Sequence, residues 1–471
     1  METVKDILAQ RNEIMKKSLG GIDYNAFEKG GLAFDYEALM KFASYPIEEV
    51  LRIQLETKVG NTPLYELKNL TNLVRKISSP GKGARILVKD EAMNASGSFK
   101  DRRAALSLFQ AKKEGYRGVV AATSGNYGAA VASQALQRGL KCIIAQEVFD
   151  SRGIGQPEIL EKGRKCEALG AEVWQLTVGP ELFFWSLLLL KETGYFNASL
   201  YTPYGIKGIE ALGYEVGIEV KARYGREPSA VLITHAGGGN VTGTARGLLE
   251  SGCTNTRIIG VSVDLRGLHM ASDNDFNRKS FTTGHTGFGV PFAVNPDRVD
   301  VPRNAARSLR YLDRYLLVTQ GEVFYATELL TRTEGIERGP AGNTSLAAAI
   351  PLAREMPEDE ILVIQETEYT GAGKHPTAQL TFSRKMGVEV IRGKPGDNIP
   401  GKRIVIPEHL SQLSYEEHSL DKLKQSYLEH TLKKNEVKKL SLSELKFLQE
   451  ELKDNNNLVI DYLNSKGVMY G

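Results

Sequence analysis

Cysteine is scarce in this 471-residue chain: Cys142, Cys166 and Cys253 are the only three, far apart and without a Cys-x-x-Cys pair. An odd number of scattered thiols gives no disulfide framework and fits a reducing cytoplasm. Cys142 falls in an apolar strand and Cys166 in a helix over 158–169, where free cysteine is more often core than nucleophile. No His-Glu-x-x-His stretch and no Cys/His cluster occurs, so no metal site is expected. Long apolar runs are missing as well. The longest, 182–190, is broken by Ser186 and too short to span a bilayer. The opening residues, Met1 to Asp6, lack the apolar centre of a signal peptide. Charge of one sign is not in excess: the net value is +3, which leaves no nucleic-acid footprint. There is no Gly-x-Gly-x-x-Gly run. Gly371-Ala372-Gly373-Lys374-His375 lacks both the first Walker glycine and the Ser/Thr after the lysine. With 41% hydrophobic and 25% charged residues, the composition is that of an ordinary globular protein.

What is present begins with Lys100. A small-residue turn, Asn94-Ala95-Ser96-Gly97-Ser98-Phe99, delivers it where a helix starts. A lysine used as a nucleophile must be neutral, and neighbouring cations push its pKa in that direction; Arg102 and Arg103 are candidates for that push. Alone, Lys100-Asp101-Arg102-Arg103 reads as a solvated charge cluster. Two later turns change the balance. Thr123-Ser124-Gly125-Asn126-Tyr127-Gly128 lies between an apolar strand and a small-residue helix. The free N–H groups and positive dipole end of that helix suit a carboxylate. Gly237-Gly238-Gly239-Asn240 follows the strand Ala230-Val231-Leu232-Ile233-Thr234. Its three glycines let backbone N–H groups turn inward around a phosphate. Either turn alone is a weak signal, because βα loops are glycine-rich for steric reasons. A lysine, a carboxylate seat and a phosphate cradle in one chain are a much stronger one.

The pattern along the chain is α/β. Amphipathic helices are expected over 4–19, 35–43 and 46–57, then short apolar strands alternate with helices, which implies buried parallel sheets. From about 416 the texture turns to Lys/Glu/Leu-rich helices over 420–434 and 443–453, the second opened by a Ser441/Glu444 capping box.

Ser98-Phe99-Lys100, the Ser-Gly-Asn turn and the triple-glycine turn resemble, in order and spacing, the signatures of fold-type II pyridoxal 5′-phosphate enzymes, the tryptophan-synthase-β and threonine-synthase group. Longer blocks, among them Ser280 to Pro291, Gly339-Pro340-Ala341-Gly342-Asn343-Thr344 and Gln365 to His375, resemble more narrowly the β subunits of 2-amino-4-oxopentanoate thiolases of ornithine degradation. The resemblance is read as running from near the N-terminus to about residue 415. It implies two αβα domains with mostly parallel sheets. An N-terminal helical arm spans 1–60, a large cofactor-binding domain 61–90 with 205–415, a small domain 91–204, and a helical tail 416–471.

The resemblance also implies pyridoxal phosphate held covalently by Lys100, which then serves as general base. Asn126, Gly237, Gly238, Gly239, Asn240 and Thr367 are the implied cofactor contacts, with Thr367 facing the ring nitrogen. Its flanks, Glu366 and Glu368, leave a carboxylate there as the alternative. Thr123, Ser124, Gly125, Asn126, Tyr127 and His285 are the implied substrate contacts; His285 either polarises the ketone, guides the thiol or serves its loop as hinge or packing. Coenzyme A is the implied co-substrate, attacking directly through its own thiol. The implied partners are a small α subunit and a second copy of this chain, with no nucleic acid and no membrane. A threonine-synthase-like or ammonia-lyase-type enzyme, and a non-catalytic cofactor-binding regulatory subunit, are the alternatives.

Overall fold

The computed structural model describes residues 3–29, 32–123, 125–149, 153, 155, 157–177, 181–198, 202–235, 238–264, 308–369, 375–434 and 436–471. The apolar runs become two sheets. The larger has seven strands in the order Glu416–Glu417, Arg314–Val318, Arg257–Val263, Ala230–Thr234, Ile361–Glu366, Arg85–Asp90 and Leu64–Glu66. Its five inner strands are parallel, and only the two short edges run antiparallel. The smaller sheet is parallel throughout, in the order Glu172–Thr177, Lys141–Phe149, Gly118–Thr123 and Phe196–Asn197.

Side chains alternate across a strand, and Ile361–Glu366 carries apolar groups on both faces. Leu362 and Ile364 pack with Leu346, Ala347 and Ile350 of the helix Pro340–Glu355. Ile361 and Val363 pack on the opposite side with Val241 and Leu248 of the helix Gly239–Glu250. A strand covered on both sides reads as one continuous apolar run, which is why the pattern pointed to parallel sheets.

Glycine sets how closely the backing helices approach. A Cβ at Gly213 of the helix Pro203–Tyr224 would lie 2.0 Å from the Thr244 carbonyl oxygen, and one at Gly208 would lie 2.2 Å from that of Arg102. One long helix therefore lies backbone to backbone against both the triple-glycine helix and the helix Lys100–Lys113. That shared backing fixes the two relative to each other.

The amino-terminal segment departs from the expected single helix over 4–19. It divides into Val4–Ala9 and Arg11–Ser18, because Gln10 leaves helical geometry and caps the first piece. Ile7, Ile14, Val50 and Ile53 from this segment share a core with Val119 and Ile144 of the small sheet. The tail forms the helices Leu420–Lys434, Leu442–Glu451 and Leu458–Ser465, with the Ser441/Glu444 capping box in place. Its Leu423, Leu428, Leu448 and Leu463 pack into the core around Val231, Ile258 and Leu317. Glu416–Glu417 adds an edge strand to the large sheet, so that sheet runs slightly beyond residue 415. Among the described residues, no helix is long and apolar enough to cross a membrane.

Candidate active site

Open parallel sheets place ligands beyond the carboxyl ends of their strands, and the sequence-predicted groups converge on that edge of the large sheet. The lysine turn is stitched to the end of Ile361–Glu366. Phe99 N–H donates to the Thr367 carbonyl (3.0 Å), Tyr369 N–H donates to the Gly97 carbonyl (2.8 Å), and Ser98 bridges Glu368. Lys100 is the first residue of its helix, with Nζ 4.5 Å from the centre of the Phe99 ring. Asp101 holds the turn from below, accepting from the Ser96 N–H at 2.6 Å. Burial pushes this carboxyl up to about 7.

The Ser-Gly-Asn turn is braced by Thr123, whose hydroxyl accepts from the N–H groups of Gly125 (3.0 Å) and Gly128 (3.3 Å). Asn126 opens the following helix, and the Tyr127 hydroxyl donates to the Ala198 carbonyl at 2.5 Å. Ser124 lies outside the described residues. The Asn126 amide donates to Oε2 of Glu368, and Lys162 Nζ stands 3.9 Å from the same oxygen. A protein carboxylate thus already meets the seat assigned to a substrate carboxylate. Tyr127 is buried and committed to Ala198, which makes it a brace of the turn.

At the third turn, Gly238 adopts the left-handed region (φ 81°) and Gly239 starts the helix, so its first N–H groups face the sheet edge without Cβ atoms in the way. Gly237 lies outside the described residues. The Asn240 side chain is spent in a closed ring: its amide donates to Gln365 (2.7 Å), Gln365 donates to Thr244 (3.0 Å), and Thr244 donates back to Asn240 (3.2 Å). What Asn240 can offer an anion is its backbone. His285 lies outside the described residues, while His235 is buried against Ser308 and Tyr315 as a core group.

One expectation fails. Arg102 does not lend Lys100 a free positive charge, because it is fully buried between Glu91 (2.6 Å) and Glu215 (2.8 Å). Burial opposes its charge, but the two carboxylates outweigh that and raise its pKa. Glu215 is pulled down to about 2, against its own burial, by Arg102 and by Lys89 at 2.8 Å. The cluster is an anchor for the lysine helix whose charges largely cancel. Arg103 is buried with its guanidinium 5.8 Å from the Phe99 ring centre.

Sequence reasoning assigned nothing to Lys162, Asp90 or Arg338, and left Glu366 and Glu368 as alternatives. Asp90 ends the strand beside Ile361–Glu366, where it pairs with Arg338 and accepts from the Tyr65 hydroxyl at 3.0 Å. The three cysteines are buried, and burial raises the thiol pKa of Cys142 and lifts that of Cys166 to about 12. Neither supplies a thiolate at neutral pH.

A family profile described as pyridoxal-phosphate dependent enzyme matches residues 55–366, which include the lysine and both glycine turns. The chain belongs to that family. A 2-amino-4-ketopentanoate thiolase beta subunit from an unknown prokaryotic organism is 63% identical over 462 residues, 98% of each chain. A protein of the same name from Acetoanaerobium sticklandii is 58% identical over 453 residues, 96% of each. Likeness of that extent takes in most of the tail and corrects the limit set near residue 415. A solved threonine deaminase from T.th. shares the fold, with a TM-score of 0.53 at 24% identity, covering 69% of this chain and 97% of its own. The residues present fit the family's cofactor: a lysine at a helix start, a helix start entered through a left-handed glycine, and a buried carboxyl, Glu366, both of whose oxygens lack hydrogen-bond partners among the described residues.

Proposed function

We propose that this chain is the cofactor-bearing subunit of an enzyme that cleaves 2-amino-4-oxopentanoate (the 4-keto acid) with coenzyme A, giving alanine and acetyl-CoA. The observation that carries the reading is its likeness, over almost the whole length, to two thiolase beta subunits. Pyridoxal phosphate, when bound through Lys100, supplies the electron sink for carbanion chemistry. The protein does the rest. Backbone N–H groups from Gly238 onward seat the phosphate, and the Thr123–Asn126 turn seats the substrate carboxylate. Lys100 Nζ takes the α-proton as general base and would return one to C3 once the C3–C4 bond has parted. With the cysteines buried in the core, attack on the C4 ketone falls to the thiol of coenzyme A itself.

The relatives are named beta subunits, which supports a partner α subunit; that this partner is small and that two copies of this chain pair within the heteromer belong to the same proposal. Coenzyme A carries its own phosphates, so part of its site belongs to that partner or to a subunit boundary. Buried free thiols support a cytoplasmic setting. The two sheets support a division into 61–90 with 205–415 against 91–204, with the cofactor between them.

The test combines chemistry and mapping. Purified chain plus the small partner, given 2-amino-4-oxopentanoate and coenzyme A, should form acetyl-CoA and alanine, and omission of coenzyme A should abolish the thioester. Borohydride reduction and peptide mapping should place the cofactor on Lys100. An adduct on another lysine, or product formation without coenzyme A, would refute the assignment.

A further inference from the structure

Glu366 is the least explained group at the sheet edge. It ends an inner strand of the large sheet, is fully buried, and neither carboxyl oxygen has a hydrogen-bond partner among the described residues. Buried polar groups are nearly always paired, and an exception at a ligand edge points to a partner that arrives with the ligand. Its neighbours on the strand fix what that ligand must be near. Gln365 is bonded to Asn240 of the triple-glycine helix, and Thr367 takes the Phe99 N–H next to Lys100. Glu366 therefore sits between the phosphate seat and the lysine.

The helix Pro340–Glu355 closes the same corner. The Thr234 hydroxyl donates to the Ala341 carbonyl at 2.7 Å, drawing the first turn of that helix to the edge beside the glycine turn. Gly342 in that turn lies against the carboxyl: a Cβ there would stand 2.3 Å from Glu366 Oε2 and 2.7 Å from the Thr367 nitrogen. The glycine keeps this space for a carboxyl group, which no turn geometry requires of it.

We propose that Glu366 meets the ring nitrogen of the cofactor and shares a proton with it, in place of the hydroxyl of Thr367. This rests on the pyridoxal-phosphate reading above and deepens it. Among the described residues, the nearby cations leave Glu366 without a counterion of its own. Arg338 is committed to Asp90, Lys162 stands by Glu368, and Tyr65 donates to Asp90. Burial first, then the Asp90 and Glu368 charges, outweigh Arg338 and hold this carboxyl protonated well above its ordinary range. A protonated carboxyl can give what a threonine hydroxyl cannot: its O–H bond breaks, an N–H bond forms on the ring, and carboxylate and ring cation remain as a pair. The stronger electron sink suits a reaction that must reach beyond the α-carbon.

The experiment measures binding, not turnover. Apoprotein is titrated with pyridoxal phosphate and with its carbocyclic analogue, in which C–H replaces the ring nitrogen. Wild type should prefer the natural cofactor by about 10- to 100-fold, the range of a charge-assisted hydrogen bond. Glu366→Gln should cut that preference to within about threefold, whereas Thr367→Val should keep it. Gly342→Ala, which displaces the carboxyl without altering it, is the second probe should the glutamine variant fold poorly, and it too should lose the preference. Full discrimination by Glu366→Gln or Gly342→Ala with loss in Thr367→Val would assign the contact to threonine and overturn the proposal. So would a wild type indifferent to the ring nitrogen. A wild type that binds neither compound would instead bring down the cofactor reading itself.

Discussion

Gly238 and Asn126 stand at two helix starts that divide the anion-binding work. Gly238 occupies the left-handed region at φ 81°, where an L side chain costs about 1–2 kcal/mol before any ligand is considered. Gly238→Asp adds a negative charge where the phosphate is seated, so the purified variant should lose its cofactor absorbance on gel filtration. Asn126→Ala removes an amide that faces Glu368, not the phosphate cradle. That variant should keep the cofactor and bind the amino-acid substrate about tenfold more weakly, the worth of one charge-assisted hydrogen bond, as read by titration. Equal cofactor loss in both folded variants would end the division of labour. Lys162, beside the same carboxylate, is invisible to local sequence reading because it arrives from a separate helix.

At the scale of elements, the lysine helix is held by two buried groups that behave oppositely. Arg102 is locked between Glu91 and Glu215, and removing one partner of such a cluster would leave a bare charge in the interior. Asp101 has one oxygen without a hydrogen-bond partner among the described residues and is lifted by burial to about 7, with the Ser96 hydrogen bonds and Lys165 opposing the shift and Glu91 adding to it. Unfolded, it titrates near ~3.9. Between those values the folded protein keeps a proton that the unfolded chain has released. The contribution of Asp101 to stability is therefore full at the acid end and falls as pH rises from about 4 to about 7. Urea unfolding at acid and neutral pH should show this loss, on the order of 4 kcal/mol, and Asp101→Asn should remove it. An unchanged slope in the variant would show that Asp101 is not the titrating group.

For the whole molecule, the tail decides more than its composition suggested. Its Leu423, Leu428, Leu448, Val459 and Leu463 are fully buried in the large-sheet core. At about 1.5–3 kcal/mol for each, five such side chains are comparable to the whole stability of a typical domain, about 5–15 kcal/mol. Truncation after Leu413 should therefore cut soluble yield and thermal midpoint sharply, rather than leave a cofactor-loaded enzyme lacking only its partner. A truncated chain that melts like the parent would reduce the tail to a detachable cap.

What the sequence determined by itself was local: the lysine at a helix start, the two glycine turns behind apolar strands, the helix over 420–434 and the Ser441 capping box. Each is governed by residues within one turn of one another, where dihedral preference and hydrogen-bond geometry act without tertiary help. Edge strands of two or three residues, such as Phe196–Asn197 and Leu64–Glu66, carry too little pattern to read. Only the tertiary structure decided the rest. It neutralised Arg102 with a glutamate 113 positions away, brought Glu368 to Asn126 across 242, and left Glu366 in a corner beside the glycine of another helix. Charge state depends on which groups meet in the dry interior, and periodicity along the chain says which face turns inward without saying what it will meet there.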